Sequence, residues 1–113
     1  MDSDFPHSTI HRSWYNSYTY SVRFHFDQAK SERLRKNPKR GIGFEEAQEI
    51  FTRPYYLDRR SDLPEQFEAI GWVGQRLYTR VFEVRMDADG EFYHLVTLWK
   101  ATSEEEETYA SNV

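Results

Sequence analysis

Apolar and polar positions alternate most clearly from Tyr18 to Phe26, where Tyr18, Tyr20, Val22, Phe24 and Phe26 are separated by Thr19, Ser21, Arg23 and His25. A period of two predicts a strand with one buried face. Two longer strands are expected at Leu77–Arg85 and Phe92–Trp99, rich in β-branched and aromatic residues, with Asp89-Gly90 supplying the backbone freedom of a hairpin turn between them. Apolar side chains fall on both faces of this ribbon, so it belongs inside a sheet with other elements covering it. Phe67–Val73 reads as a further strand, and the short turn at Gly74-Gln75 pairs it antiparallel with Leu77–Arg85, giving a three-strand meander.

Helical patterns occupy much of the rest. Asp27 can cap a helix running through Gln28 to about Lys36, because its carboxylate accepts from the free amides of a first turn, and Asn37-Pro38 stops it. Only Ala29 and Leu34 are apolar there, which puts this helix on the surface with its basic side outward. After a turn at Gly41-Ile42-Gly43, the residues Phe44, Ala47, Ile50 and Phe51 share one face of a second helix, Phe44–Phe51, with Glu45 and Glu46 at its positive amino end. Tyr55–Pro64 reads as a polar connection. Ser103 precedes Glu106 at capping-box spacing and predicts a terminal helix from Ser103 to about Ala110. Residues 1–15 have no periodic pattern and read as a loosely held arm before a single domain over residues 16–113.

Composition narrows the picture. A chain of 113 residues suits one domain with a small core, and an aromatic content of 17% predicts a core built from rings. The absence of cysteine excludes a disulfide framework and a thiolate zinc site. The acidic Met1-Asp2-Ser3-Asp4 start is followed by no apolar run, so neither a secretory signal nor a membrane span is expected and a cytoplasmic protein is the default. His7 and His11 have the spacing of ligands on one helical turn, but Pro6 and the polar setting do not support a helix there, and no metal motif accompanies them.

Charge is strongly segregated. The formal net charge of -4 argues against general nucleic-acid binding, yet Lys30, Arg33, Arg35, Lys36, Lys39 and Arg40 crowd one segment with only Glu32 among them. Acids gather at Glu45-Glu46, between Asp58 and Glu68, and in Glu104-Glu105-Glu106-Glu107. The basic run is either a solvated helix face or a phosphate-facing surface on an otherwise acidic protein.

Several short strings, in chain order, resemble the BrnT toxins. Phe26-Asp27-Gln28-Ala29-Lys30, then Lys39-Arg40-Gly41-Ile42-Gly43-Phe44-Glu45-Glu46-Ala47, then Ile50-Phe51 with Pro54, are similar to that family's Trp-Asp-x-x-Lys, Lys-His-Gly, Phe-Glu-x-Ala and Phe-x-x-Pro strings. Glu65, Ile70-Gly71, Arg76-Leu77, Lys100-Ala101-Thr102 and the pair Glu105 and Tyr109 continue the order, so the resemblance runs from Val22 to Tyr109. It implies a RelE-like α+β fold, with an antiparallel sheet of about four strands, two helices after the first strand and a short C-terminal helix. It also implies the toxin component of a type II toxin-antitoxin system, a metal-independent RNA endonuclease that inhibits translation and needs no cofactor. The implied partner is a BrnA-like antitoxin carrying a ribbon-helix-helix DNA-binding segment. In such toxins a base takes the 2′-hydroxyl proton, cations stabilise the pentavalent phosphate and an acid protonates the leaving oxygen.

The chain departs from the family at the chemistry. Glu65, Gln66 and Phe67 stand where the family has Glu-x-Arg, and His94, Thr97, Leu98, Trp99 and Ala101 match a last strand that usually carries two arginines. Glu104, Glu106 and Glu107 replace basic residues at the start of the terminal helix. The alternative is therefore a toxin-like interaction protein that binds an antitoxin without cleaving RNA. If the chain cleaves, the remaining catalytic candidates are His94, Lys39, Arg40, Glu65 and Lys100, and the RNA-binding candidates are Lys30, Arg33, Lys36 and Trp99. His94 could be an acid-base group or a hydrogen-bonded packing residue. Lys39 and Arg40 could meet phosphate or solvent, Lys100 could face the same site or flank the sheet, and Glu65 could be a base or an exposed loop carboxylate. Trp99 and Tyr93 could stack on an unpaired base or belong to the core.

Overall fold

The computed structural model describes residues 23–113 and the backbone of residues 9–11. In chain order these form β1 (Thr9–His11), β2 (Arg23–His25), α1 (Gln28–Lys36) and α2 (Phe44–Ala47), the last continued by a 3-10 helix at Gln48–Thr52. Then come β3 (Tyr55–Asp62), β4 (Glu65–Val73), β5 (Arg76–Asp87), β6 (Gly90–Lys100) and α3 (Ser103–Asn112). The fold is α+β, as the element pattern predicts. One sheet holds all six strands in the order β1-β3-β4-β5-β6-β2. Strands β3 to β6 are a meander of antiparallel neighbours, and β1 joins β3 antiparallel, but β2 lies parallel to β6. The sheet is thus mixed and six-stranded, where an antiparallel sheet of about four strands is expected from the sequence.

Three other expectations need correction. Tyr55–Pro64 is not a polar connection: Tyr55, Tyr56 and Leu57 are buried, and the charged residues that follow are matched across the strands, Arg59 Nη2 with Glu65 at 3.2 Å and Arg60 with Glu68 at 3.8 Å. Paired charge lets a polar stretch stay in a sheet. Of the arm expected over residues 1–15, residues 9–11 are a strand; His7 lies outside the described residues, as do positions 18–22 of the expected first strand. The terminal helix is capped by Thr102, not Ser103: the Thr102 hydroxyl accepts from the Glu105 amide, and Glu105 accepts from the Thr102 amide at 2.9 Å.

Elsewhere local chemistry sets the elements as anticipated. Asp27 Oδ1 accepts from the amides of Ala29 and Lys30 and starts α1. At the β5–β6 turn Ala88 and Asp89 occupy the corner, and Gly90 adopts φ +114, a conformation L side chains rarely take. Gly43 has no side chain with which to cap α2. Buried Ser31 of α1 supplies the acceptor instead, taking the Phe44 amide at 2.8 Å while donating to Glu45 at 2.5 Å. The helices approach so closely that a Cβ on Gly43 would lie 2.5 Å from the Ser31 hydroxyl. Arg35 extends the lock to Glu32, Glu45 and Glu46.

The main core lies between these helices and one face of the sheet. It is built from rings: Phe82 stacks on Phe67 and Tyr93, and Phe51 meets Phe82 and Tyr55 edge-on. Arg80 is the exception, fully buried with its guanidinium 5.0 and 4.7 Å from the ring centroids of Phe24 and Phe51. Its Nη1 donates to the Ala47 carbonyl at 3.0 Å, while Nε and Nη2 have no hydrogen-bond partner. Burial pushes its pKa down to about 9, against the opposing influence of Tyr55 and Tyr93.

The opposite face carries a smaller cluster of Tyr56, Ile70 and Leu77 beneath α3. No residue of α3 is itself buried. It is held by Tyr109, whose hydroxyl donates to the Pro54 carbonyl at 2.9 Å and whose ring meets Trp72 edge-on, and by Glu105, which accepts from Thr79 and from the Trp99 indole.

Candidate functional site

Strand alternation sends Gln66, Glu83, His94 and His25 to the same face as the α3 cluster, but further along the strands. These four are register partners across β4, β5, β6 and β2. Arg85, Phe92 and Arg23 form the next row outward, and Glu68, Val81 and Thr97 the row on the other side.

Polar bonds organise the rows. Gln66 Nε2 donates to Glu83 Oε2 at 2.7 Å, and Arg85 donates to Glu83 Oε1 through Nε at 3.0 Å and Nη2 at 2.7 Å. Arg23 grips the β5–β6 turn, donating to the Asp87 carboxylate at 3.1 and 2.8 Å and to the carbonyls of Gly90 and Glu91 at 2.7 and 3.2 Å. Its guanidinium lies 5.4 Å from the Phe92 ring centroid, and the exposed His25 ring stacks on the same phenyl at 4.1 Å.

Charge and burial separate the proton affinities. Burial, then the positive fields of Arg85, His25 and Lys30, pull the His94 imidazole below its ordinary value, with Glu83 opposing. His94 is thus predominantly neutral near pH 7. Burial pushes the Glu83 carboxyl up, but its bonds from Gln66 and Arg85 and the charges of Arg85 and His94 outweigh this and hold it below the usual carboxylate range. Glu68 goes the other way: burial raises it, Arg60 opposes, and Glu105 and Asp58 raise it further. A neutral imidazole and a carboxyl that retains its proton more readily than usual therefore occupy one face.

The structure does not gather the nine residues singled out in the sequence. His94 lies in the central row. Arg40 Nη1 donates to the Leu98 carbonyl at 2.6 Å, and Lys100 Nζ donates to the Pro38 carbonyl at 3.2 Å, so both fasten the α1–α2 connection to the far end of β6. Glu65 is on β4 and paired with Arg59. Trp99 is half-buried, with its indole committed to Glu105, and Tyr93 packs among Phe24, Phe51 and Phe82. Lys30, Arg33 and Lys36 on α1, with Lys39 beyond it, have no side-chain hydrogen bond or ion pair among the described residues. Lys30 comes near enough to influence His94.

Sequence reasoning missed Glu83, Arg85, Glu68, His25 and Phe92. The spacing of Glu83 and Arg85 places them on one face of their strand, but only the parallel pairing of β2 with β6 brings His25 and His94 together. Among the described residues no group of three or more His, Cys, Asp or Glu is arranged to hold a metal ion, and no helix is long and apolar enough to cross a membrane. No protein-family model matches the chain, and no curated protein matches it at a significant level.

Proposed function

We propose that the protein is the toxin component of a type II toxin-antitoxin system, a RelE-like cytoplasmic RNA endonuclease working without a metal ion, with His94 as its general base. The neutral His94 imidazole on the polar face carries this reading. It takes the proton of a ribose 2′-hydroxyl, whose oxygen attacks the adjoining phosphorus. The 5′-oxygen of the next nucleotide leaves with a proton from solvent, giving a cyclic 2′,3′-phosphate and a 5′-hydroxyl. Arg85 and Lys30, whose charges reach His94, are the cations offered to the phosphate charge. Lys36 and Arg33 on α1 extend a track for the backbone. A BrnA-like antitoxin with a ribbon-helix-helix segment is the partner. Support from the fold is the order of elements: two helical segments after β2, a meander, and a terminal helix on the opposite face.

A second reading, antitoxin binding without cleavage, has its own support. Arg40 and Lys100 are occupied by backbone carbonyls, Arg85 is partly neutralised by Glu83, and Glu104, Glu106 and Glu107 are exposed.

The two separate on incubation of the purified protein with single-stranded RNA and a chelator. A nuclease yields cyclic-phosphate ends, spares DNA of the same sequence, and loses about 10²–10⁴ in rate with His94→Ala. Because the base must be neutral, cleavage falls as pH drops through the lowered His94 pKa. A folded wild-type protein that leaves RNA intact but co-purifies with the antitoxin establishes the second reading. Failure of both sinks the toxin assignment.

A further inference from the structure

We propose that the His25–Phe92 stack is a platform on which one unpaired base of the RNA lies, holding its ribose beside His94. The proposal rests on the RNA reading above and adds how the strand is held at the site.

Phe92 faces the polar side of β6, away from the ring core, which engages β2 through Phe24 instead. Its ring is already set in a partial stack, with His25 at 4.1 Å and 29° and the Arg23 guanidinium at 5.4 Å. Arg23 cannot swing away without breaking its bonds to Asp87 and to two turn carbonyls. The phenyl is therefore held in place. His25 is exposed and its imidazole has no hydrogen-bond partner among the described residues, so the ring is held on Phe92 by stacking alone. An aromatic base can extend this stack by one layer, and every base has a π-face to offer.

Position makes the platform useful. His25 and His94 are register partners, so their backbones are one strand spacing, about 5 Å, apart, and a base held by His25 lies on the same face as the imidazole. The sequence-based candidates cannot do this: Trp99 is committed to Glu105, and Tyr93 is turned to the other face. Larger rings overlap the imidazole more fully, so purines are favoured over pyrimidines at this position.

The test uses a single-stranded oligodeoxynucleotide carrying one 2-aminopurine, which lacks the 2′-hydroxyl and so binds without being cut. Binding should quench the 2-aminopurine. His25→Ala should abolish the quench and weaken binding about five- to a hundred-fold, while His25→Phe, which stacks but carries no proton, should retain both. Both substitutions are at an exposed edge position, and circular dichroism checks the fold. Binding with unchanged fluorescence, or equal affinity for an oligonucleotide abasic at that position, overturns the platform but leaves phosphate-track binding intact. If neither this oligonucleotide nor RNA binds the wild-type protein, the platform falls together with the RNA reading.

Discussion

The two faces of this sheet are held by different physics. Under α1 and α2 the face is closed by aromatic rings in contact, and even Arg80 is buried against two of them. On the other face α3 buries none of its residues and is fastened by polar bonds at its ends, while the rows around His94 are fixed by charge pairs. Packing specifies the first face and tolerates little. The second combines a small apolar cluster with hydrogen bonds and charge pairs, so polar groups carry more of its specification.

That contrast can be broken most sharply at Phe82. Its ring contacts Phe67, Tyr93 and Phe51, so Phe82→Ala should cost about 3–5 kcal/mol in a urea titration. A loss below 1 kcal/mol would mean the rings do not carry the face. Next comes Gly43→Ala. The added methyl group meets the Ser31 hydroxyl at 2.5 Å and the Ser31 carbonyl at 2.9 Å, backbone that cannot rotate aside. A destabilisation of about 1–3 kcal/mol is expected, and a neutral result would show that the two helices separate freely.

On the polar face, Glu105→Ala removes the reciprocal cap of α3 and the acceptor for Thr79 and Trp99. The expected cost is about 1–2 kcal/mol, with a change in Trp99 fluorescence and a loss of helical signal confined to about one helix. The smallest effect concerns pH. The bond from Ser31, then that from Gln28, hold the Glu45 carboxyl down at about 2, with Arg35 contributing less. A depressed carboxyl contributes stability above its unfolded value and loses it as pH falls from there toward the folded one. Stability should therefore drop between about pH 4.5 and 2, and Glu45→Gln should flatten that slope. An identical acid profile in the variant would remove Glu45 from the helix lock.

Elements governed by their own residues were legible in the sequence. Asp27 caps α1 because its acceptor sits within reach of the next amides, and Gly90 permits the hairpin because of its own φ. What escaped depended on distant partners. Strand β3 looks too polar until its arginines are seen opposite Glu65 and Glu68. Thr102 and Ser103 are equally suitable caps in isolation, and the choice is made by Glu105, which Thr79 and Trp99 hold in place. The candidate site follows the same rule. His94 could be named from the sequence, but Glu83 modulates it only through strand register and His25 only through the parallel β2–β6 pairing.

That pairing also dictates a timetable. Arg23 bonds to a carbonyl 67 residues ahead of it, across nearly the whole of the meander. As the chain is synthesised, β2, α1 and α2 emerge long before β6 exists, and loops of this length close late. Phe24 meanwhile has no Tyr93 to lie against. A ribosome stalled before β6 would release a chain with the basic helix already complete and the two imidazoles not yet neighbours. His25, one of the four residues of the central row, is thus among the first things made and among the last to acquire its surroundings.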